Sequence, residues 1–86
     1  AGIRDILIIT TPHDQPLFEA LRAWRREEAH RQHLPPYVIF HDRTLAEIAA
    51  KKPGGLATLA AINGVGEGKL ERYGEAVLAV LRGMDA

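Results

Sequence analysis

The sequence predicts an all-α domain, a compact bundle of four to five short helices with an extended N-terminal arm. Three observations predict it. Apolar residues recur at helical spacing in separate stretches: Leu17-Leu21-Trp24, Leu45-Ile48-Ala49 and Leu70-Tyr73-Val77-Leu81. Proline and glycine punctuate the chain between them, at Leu34-Pro35-Pro36, Pro53-Gly54-Gly55 and Asn63-Gly64. Only residues 2–11 make a longer β-branched run without helical spacing, and a lone strand has no partner in such a chain.

Residues 1–14 are therefore read as a linker or arm and residues 15–86 as the domain. The apolar stretch 3–9 either packs on the domain as a linker from a preceding one or pairs with a second copy, since an unpaired apolar edge invites pairing. Asp14 suits an N-cap and Pro16 a first helical turn. The first helix spans about 15–32 and buries Leu17, Leu21 and Trp24, with Arg22, Arg26 and Glu19 largely on the other side. Proline ends it at Leu34-Pro35-Pro36. Tyr37-Val38-Ile39-Phe40 reads as a short apolar connector that plugs the core. A second helix starts at Asp42 or Thr44, where Thr44 with Glu47 fits a capping box. Lys51 and Lys52 suit its C-terminal dipole. Leu56–Ile62 reads as a third helix and 67–81 as a fourth, with Gly83 as its stop. Gly74 inside that helix costs about 1 kcal/mol relative to alanine. It implies close approach of another helix, with the first helix at Trp24 as the candidate neighbour.

Composition excludes several functions. Eighty-six residues make one small domain. With no cysteine there is neither a disulfide nor a thiolate metal site. No apolar run approaches the ~20 residues of a membrane span, and Ile6-Leu7-Ile8-Ile9 behind Asp5 is too short for a signal sequence. A cytoplasmic, nucleoid-associated setting is expected. Net charge is zero, with 11 basic and 11 acidic side chains, which argues against a strong autonomous nucleic-acid binder. The charges are uneven, however. Residues 22–52 carry seven basic side chains against four acidic ones, a local +3, and any electrostatic footprint centres there.

Catalytic machinery is not expected. The chain has neither cysteine nor serine to act as a nucleophile. Glu27 and Glu28 are adjacent, so they diverge by ~100° on a helix and make no acid–base pair. The four histidines, His13, His30, His33 and His41, form no i, i+4 pair, and no metal or cofactor is expected. The glycine-rich stretch Ile62-Asn63-Gly64-Val65-Gly66-Glu67-Gly68-Lys69 invites a phosphate reading because it precedes a helix. It fails the nucleotide P-loop, which needs glycine at Asn63 and a hydroxyl at Leu70. It fails the dinucleotide pattern because its glycines alternate. Two readings remain: a tight turn between packed helices, or a turn at Gly64, Gly66 and Lys69 that also touches a nucleic-acid backbone.

A binding surface finds more support. Arg22, Arg25, Arg26, Arg43, Lys51 and Lys52 surround Tyr37 in sequence. Cations around an aromatic ring suit single strands, whose bases stack while their phosphates pair. The alternative is a tyrosine buried beside Pro35-Pro36 and arginines that form a solvated face.

Two ordered blocks sharpen the choice. Leu34-Pro35-Pro36-Tyr37-Val38-Ile39-Phe40-His41-Asp42-Arg43-Thr44-Leu45-Ala46-Glu47-Ile48-Ala49 and Ile62-Asn63-Gly64-Val65-Gly66-Glu67-Gly68-Lys69-Leu70-Glu71-Arg72-Tyr73-Gly74 resemble the HRDC domain, the helicase-and-RNase-D C-terminal domain. The leader Leu17-Phe18-Glu19-Ala20-Leu21-Arg22-Ala23-Trp24-Arg25 is similar to that family's first helix. The resemblance covers residues 17–82, and its Pro-Pro-Tyr-Val-Ile-Phe form is most like bacterial RecQ-type DNA helicases. It implies an auxiliary, non-catalytic domain of an ATP-dependent helicase. Such a domain tunes binding to single-stranded, partial-duplex or branched DNA in repair and recombination. It also implies that Tyr37 contacts DNA with Arg22, Arg26, Arg43 and Lys51 around it. Glu67, Glu71, Glu75 and the zero net charge depart from a strong binder. They leave a second reading, a regulatory module that contacts its own helicase core or a second copy.

Overall fold

The computed structural model describes residues 14–85, five helices with no strand among the described residues. The arm expected over 1–14 and the self-pairing stretch at 3–9 lie outside these residues, apart from Asp14.

Helix α1 (Gln15–Gln32) opens as its sequence requires. The Asp14 carboxylate accepts the Leu17 N–H at 3.1 Å, and proline occupies the first turn, where its missing donor costs nothing. The helix ends at His33, which adopts the left-handed conformation (φ 58°) more often taken by glycine, and the Leu34 N–H then closes onto the Ala29 carbonyl at 2.9 Å. Leu17, Phe18, Leu21 and Ala29 are buried.

The stretch after Pro35 is a one-turn helix, α2 (Pro36–Ile39), rather than an irregular connector. It plugs the core only with its end: Ile39 and Phe40 are fully buried, whereas Tyr37 and Val38 face out. A single turn points successive side chains ~100° apart, so four apolar residues cannot all enter one core.

Helix α3 (Asp42–Lys51) begins after His41 and buries Leu45, Ala46, Ile48 and Ala49. The capping box at Thr44 and Glu47 does not form. Thr44 is already the third helical residue, and its buried hydroxyl donates to the Asn63 carbonyl at 3.4 Å. Asp42 does not cap either; its carboxylate pairs with Arg25 at 2.7 Å. Pairing of Lys52 with Asp14 at 3.2 Å at one end, and of Asp42 with Arg25 further along, sets α3 antiparallel to α1.

Helix α4 (Leu56–Ala60) is shorter than its sequence suggests, because Ala61 and Ile62 already belong to the turn. In that turn the Val65 N–H reaches the Ile62 carbonyl at 3.1 Å, and Gly64 takes φ 97° at its third position. Only glycine adopts this without strain. Helix α5 (Glu67–Asp85) runs past Gly83, which does not stop it.

The core joins all five helices, with α4 contributing Leu59 and packing on α5. Three rings pack together, Phe40 and Tyr73 within the core and Trp24 partly buried against it. Trp24 lies 6.2 Å from Phe40 and 5.8 Å from Tyr73, and Phe40 lies 5.9 Å from Tyr73, the last two pairs edge-to-face. Such pairs add about 0.5–1.5 kcal/mol each beyond area burial. Trp24 therefore meets Tyr73, not Gly74. One residue on, ~100° round the helix, Gly74 faces Leu56 of α4 instead.

Candidate nucleic-acid interface

Tyr37 is 60% exposed, so it is not buried against the prolines. Position two of a one-turn helix turns it outward, and its ring stacks on His41 with centroids 6.2 Å apart and planes 23° from parallel. In the sequence His41 stands out only as one of four histidines without metal-ligand spacing. Helix α2 ends at Ile39, and the extended backbone of Phe40 and His41 returns the His41 ring to Tyr37.

His41 also borders a shallow groove of about 420 Å³, together with Arg43, Thr44, Glu47, Asn63 and Gly64. The fold thus brings the glycine turn beside His41 and Arg43, which are separate features in the sequence. The Thr44–Asn63 bond docks the turn on α3, and Gly64 permits the approach: a Cβ there would lie 2.2 Å from the Thr44 hydroxyl oxygen. Arg43 is exposed and has no ion-pair partner among the described residues. Glu47 at the groove edge offsets part of its charge.

The other predicted positions spread out. Arg26 is exposed and unpaired among the described residues, on the part of α1 that antiparallel packing sets near the α2–α3 junction. Arg22 is half-buried, pairs with Glu19 at 3.7 Å and lies over the Phe18 ring at 5.6 Å. Lys51 pairs with Glu47 at 3.2 Å and sits two turns beyond Arg43, ~12 Å along α3. Exposed pairs of this kind contribute at most about 1 kcal/mol, so a phosphate can replace the carboxylate. Gly66 precedes α5, its carbonyl accepting the Leu70 N–H at 2.8 Å. Lys69 does not point to the groove; its ammonium lies 5.6 Å from the Phe40 ring centroid. Arg25, counted in the sequence among the available cations, is buried. It donates to the Phe40 carbonyl at 2.8 Å and pairs with Asp42.

Elsewhere on α1, Arg31 and Gln32 both bind Glu28, and the Arg31 hydrogen bond foremost holds that carboxyl below the usual carboxylate range. No group of three or more histidine, aspartate or glutamate side chains could hold a metal ion among the described residues, and no described helix is long and apolar enough to cross a membrane. The arrangement sets an exposed pair of rings beside an exposed cation.

The HRDC domain family model matches residues 14–81. The chain is 40% identical to the ATP-dependent DNA helicase RecQ of Haemophilus influenzae over 70 residues, 81% of this chain and 11% of that protein. It is 46% identical to the ATP-dependent DNA helicase UvrD2 of Mycobacterium tuberculosis over 70 residues, 81% of this chain and 10% of that protein. Two solved domains of Deinococcus radiodurans RecQ share the fold. HRDC domain 3 has TM-score 0.77 at 40% identity, covering 79% of this chain and 90% of that one. HRDC1 has TM-score 0.60 at 56% identity, covering 85% and 97%. The chain spans about a tenth of the length of the curated helicases it matches. From helix order through glycine turn to family model, the observations agree that the chain belongs to the HRDC domain family.

Proposed function

We propose that this domain is a non-catalytic accessory of a RecQ-type ATP-dependent DNA helicase and modulates its binding to single-stranded, partial-duplex or branched DNA in repair and recombination. The observation that carries the reading is the exposed Tyr37 ring stacked on His41 beside the unpaired Arg43. An unstacked base extends such a two-ring platform, each base–aromatic stack contributing about 1–3 kcal/mol. Arg43 takes the neighbouring phosphate, with Arg26, Arg22 and Lys51 as outlying cations. Contact is weak by design of charge, since Glu47 and Asp42 lie among the cations. The RecQ assignment draws on 56% identity to a RecQ HRDC domain. The setting that follows is the bacterial cytoplasm, at the nucleoid.

The test is an NMR titration of the domain with short single-stranded DNA at low salt. Shifts should centre on Tyr37, His41 and Arg43. Tyr37→Ala should weaken binding by about 1–3 kcal/mol, and no perturbation at these three residues would sink the reading.

A second reading has its own support. Leu34, Val38 and Leu56 are large apolar side chains left at least a third exposed, two of them flanking Tyr37. Exposed apolar side chains of this kind suit a protein contact with the helicase core or with another HRDC copy. If titration with the separately expressed core, and not with DNA, shifts Leu34 and Val38, this reading replaces the first.

A further inference from the structure

We infer that Arg25 is a positioning residue that holds the Tyr37–His41 platform in place from inside the core. The inference rests on the DNA-binding reading for its consequence, but not for its geometry.

Arg25 faces inward from α1, between Leu21 and Ala29 at i−4 and i+4, and is only 8% exposed. A charge in such a place needs a reason. Its two terminal nitrogens reach two different residues: Nη1 donates to the Phe40 carbonyl at 2.8 Å, and Nη2 meets Asp42 Oδ1 at 2.7 Å. Phe40 and Asp42 are the immediate neighbours of His41. One planar fork therefore clamps both sides of the residue that Tyr37 stacks upon.

The backbone at this point needs such a clamp. Phe40 and His41 are both extended, with φ −151° and −74° between the end of α2 and the start of α3. Phe40 is buried, and a buried carbonyl outside a helix requires a donor. No side chain caps α3. The guanidinium is thus the only described side chain that fixes the α2–α3 junction to α1 by hydrogen bonds.

Stability does not explain its presence. Buried ion pairs are often replaced by apolar residues at little cost. The Arg25 Nε is buried without a partner, so the clamp is not even fully satisfied. What the fork supplies is geometry: a lysine could meet only one of its two acceptors well, because its ammonium is a point charge on a flexible stem. A junction left loose would have to be ordered on binding, which lowers affinity.

Asp42 makes the idea testable by sign. It is a half-exposed carboxylate between His41 and Arg43. If it acts only through its charge, removing it strengthens DNA binding. If it acts through Arg25, removing it weakens binding.

The experiment compares wild type with Arg25→Met, Asp42→Ala and the double variant by NMR and by DNA titration. The double variant removes both charges, so it remains foldable even if one single variant does not. The expected result is loss of the Tyr37–His41 inter-ring NOEs in the double variant, with the Trp24–Tyr73 NOEs of the core retained. DNA affinity should fall about three- to tenfold, the effect of lost preorganisation. Retained Tyr37–His41 NOEs, or unchanged or tighter DNA binding by the folded variants, would overturn the inference. Tyr37→Ala and Arg43→Ala run alongside. If these leave DNA affinity unchanged, the DNA reading fails, and the ring NOEs alone still decide whether Arg25 positions the platform.

Discussion

Two glycines that look alike in sequence do different things. Gly64 sits at φ 97°, and a Cβ there would lie 2.2 Å from the Thr44 hydroxyl oxygen, which the Asn63 carbonyl holds in place. Gly64→Ala meets both backbone strain and a clash with a buried side chain. It should cost about 2 kcal/mol or more in denaturant unfolding. Gly74 is helical, and its Cβ would meet Leu56 Cδ2 at 2.8 Å. That methyl is the free end of a 40% exposed side chain, which can turn away. Helix propensity favours alanine by about 1 kcal/mol, so Gly74→Ala should lie within about 0.5 kcal/mol of wild type in the same unfolding experiment. Comparable losses at both positions would show that Leu56 is less free than its exposure implies.

At the scale of elements, helix ends decide where functional side chains go. Proline at the start of α2 makes it a helix that turns Tyr37 outward, and the extended Phe40–His41 backbone that follows brings the two rings together. Near the end of α1, Arg31 and Gln32 gather on Glu28, and Gln32 also donates to the Tyr73 hydroxyl at 3.1 Å. That small network ties α1 to α5. Because hydrogen bonding depresses the Glu28 pKa in the folded state, its contribution is present above the ordinary carboxyl pKa. It is lost as pH falls through the folded value. Glu28→Gln should therefore lower Tm at neutral pH, and the difference from wild type should shrink as pH falls below the ordinary carboxyl range. Thermal melts at pH 7 and pH 3 check this; an equal gap at both would assign the loss to packing.

For the whole molecule, charge sets the strength of the proposed contact. The chain is neutral, and the basic residues of its middle segment are partly answered by Glu19, Glu28, Asp42 and Glu47. Only Arg26 and Arg43 of the proposed cations lack ion-pair partners among the described residues. Two phosphate contacts on single-stranded DNA give a slope of about −1.4 in log affinity against log salt. Arg43→Ala should reduce that slope by about 0.7. Fluorescence titrations across a salt series measure both, and a slope near zero would leave the exposed apolar residues Leu34 and Val38 as the better guide to the partner.

The chain's local features are legible in its sequence. Asp14 and Pro16 mark the start of α1, Pro35-Pro36 its end, and helical spacing gives the buried faces, because each depends on neighbours within four residues. The resemblance carried by residues 34–49 and 62–74 likewise needed only order and spacing. What tertiary structure decided were the partners across the chain. Thr44 reads as a cap, but its hydroxyl goes to Asn63, nineteen residues away. Gly74 receives Leu56 rather than Trp24, and Arg25, one of several similar arginines in sequence, is the one drawn inside to hold Phe40 and Asp42. Propensity and periodicity report which face of a helix is apolar. They do not report which polar group on the facing element will need a donor once both are buried, and that need is what assigns Thr44 and Arg25 their places.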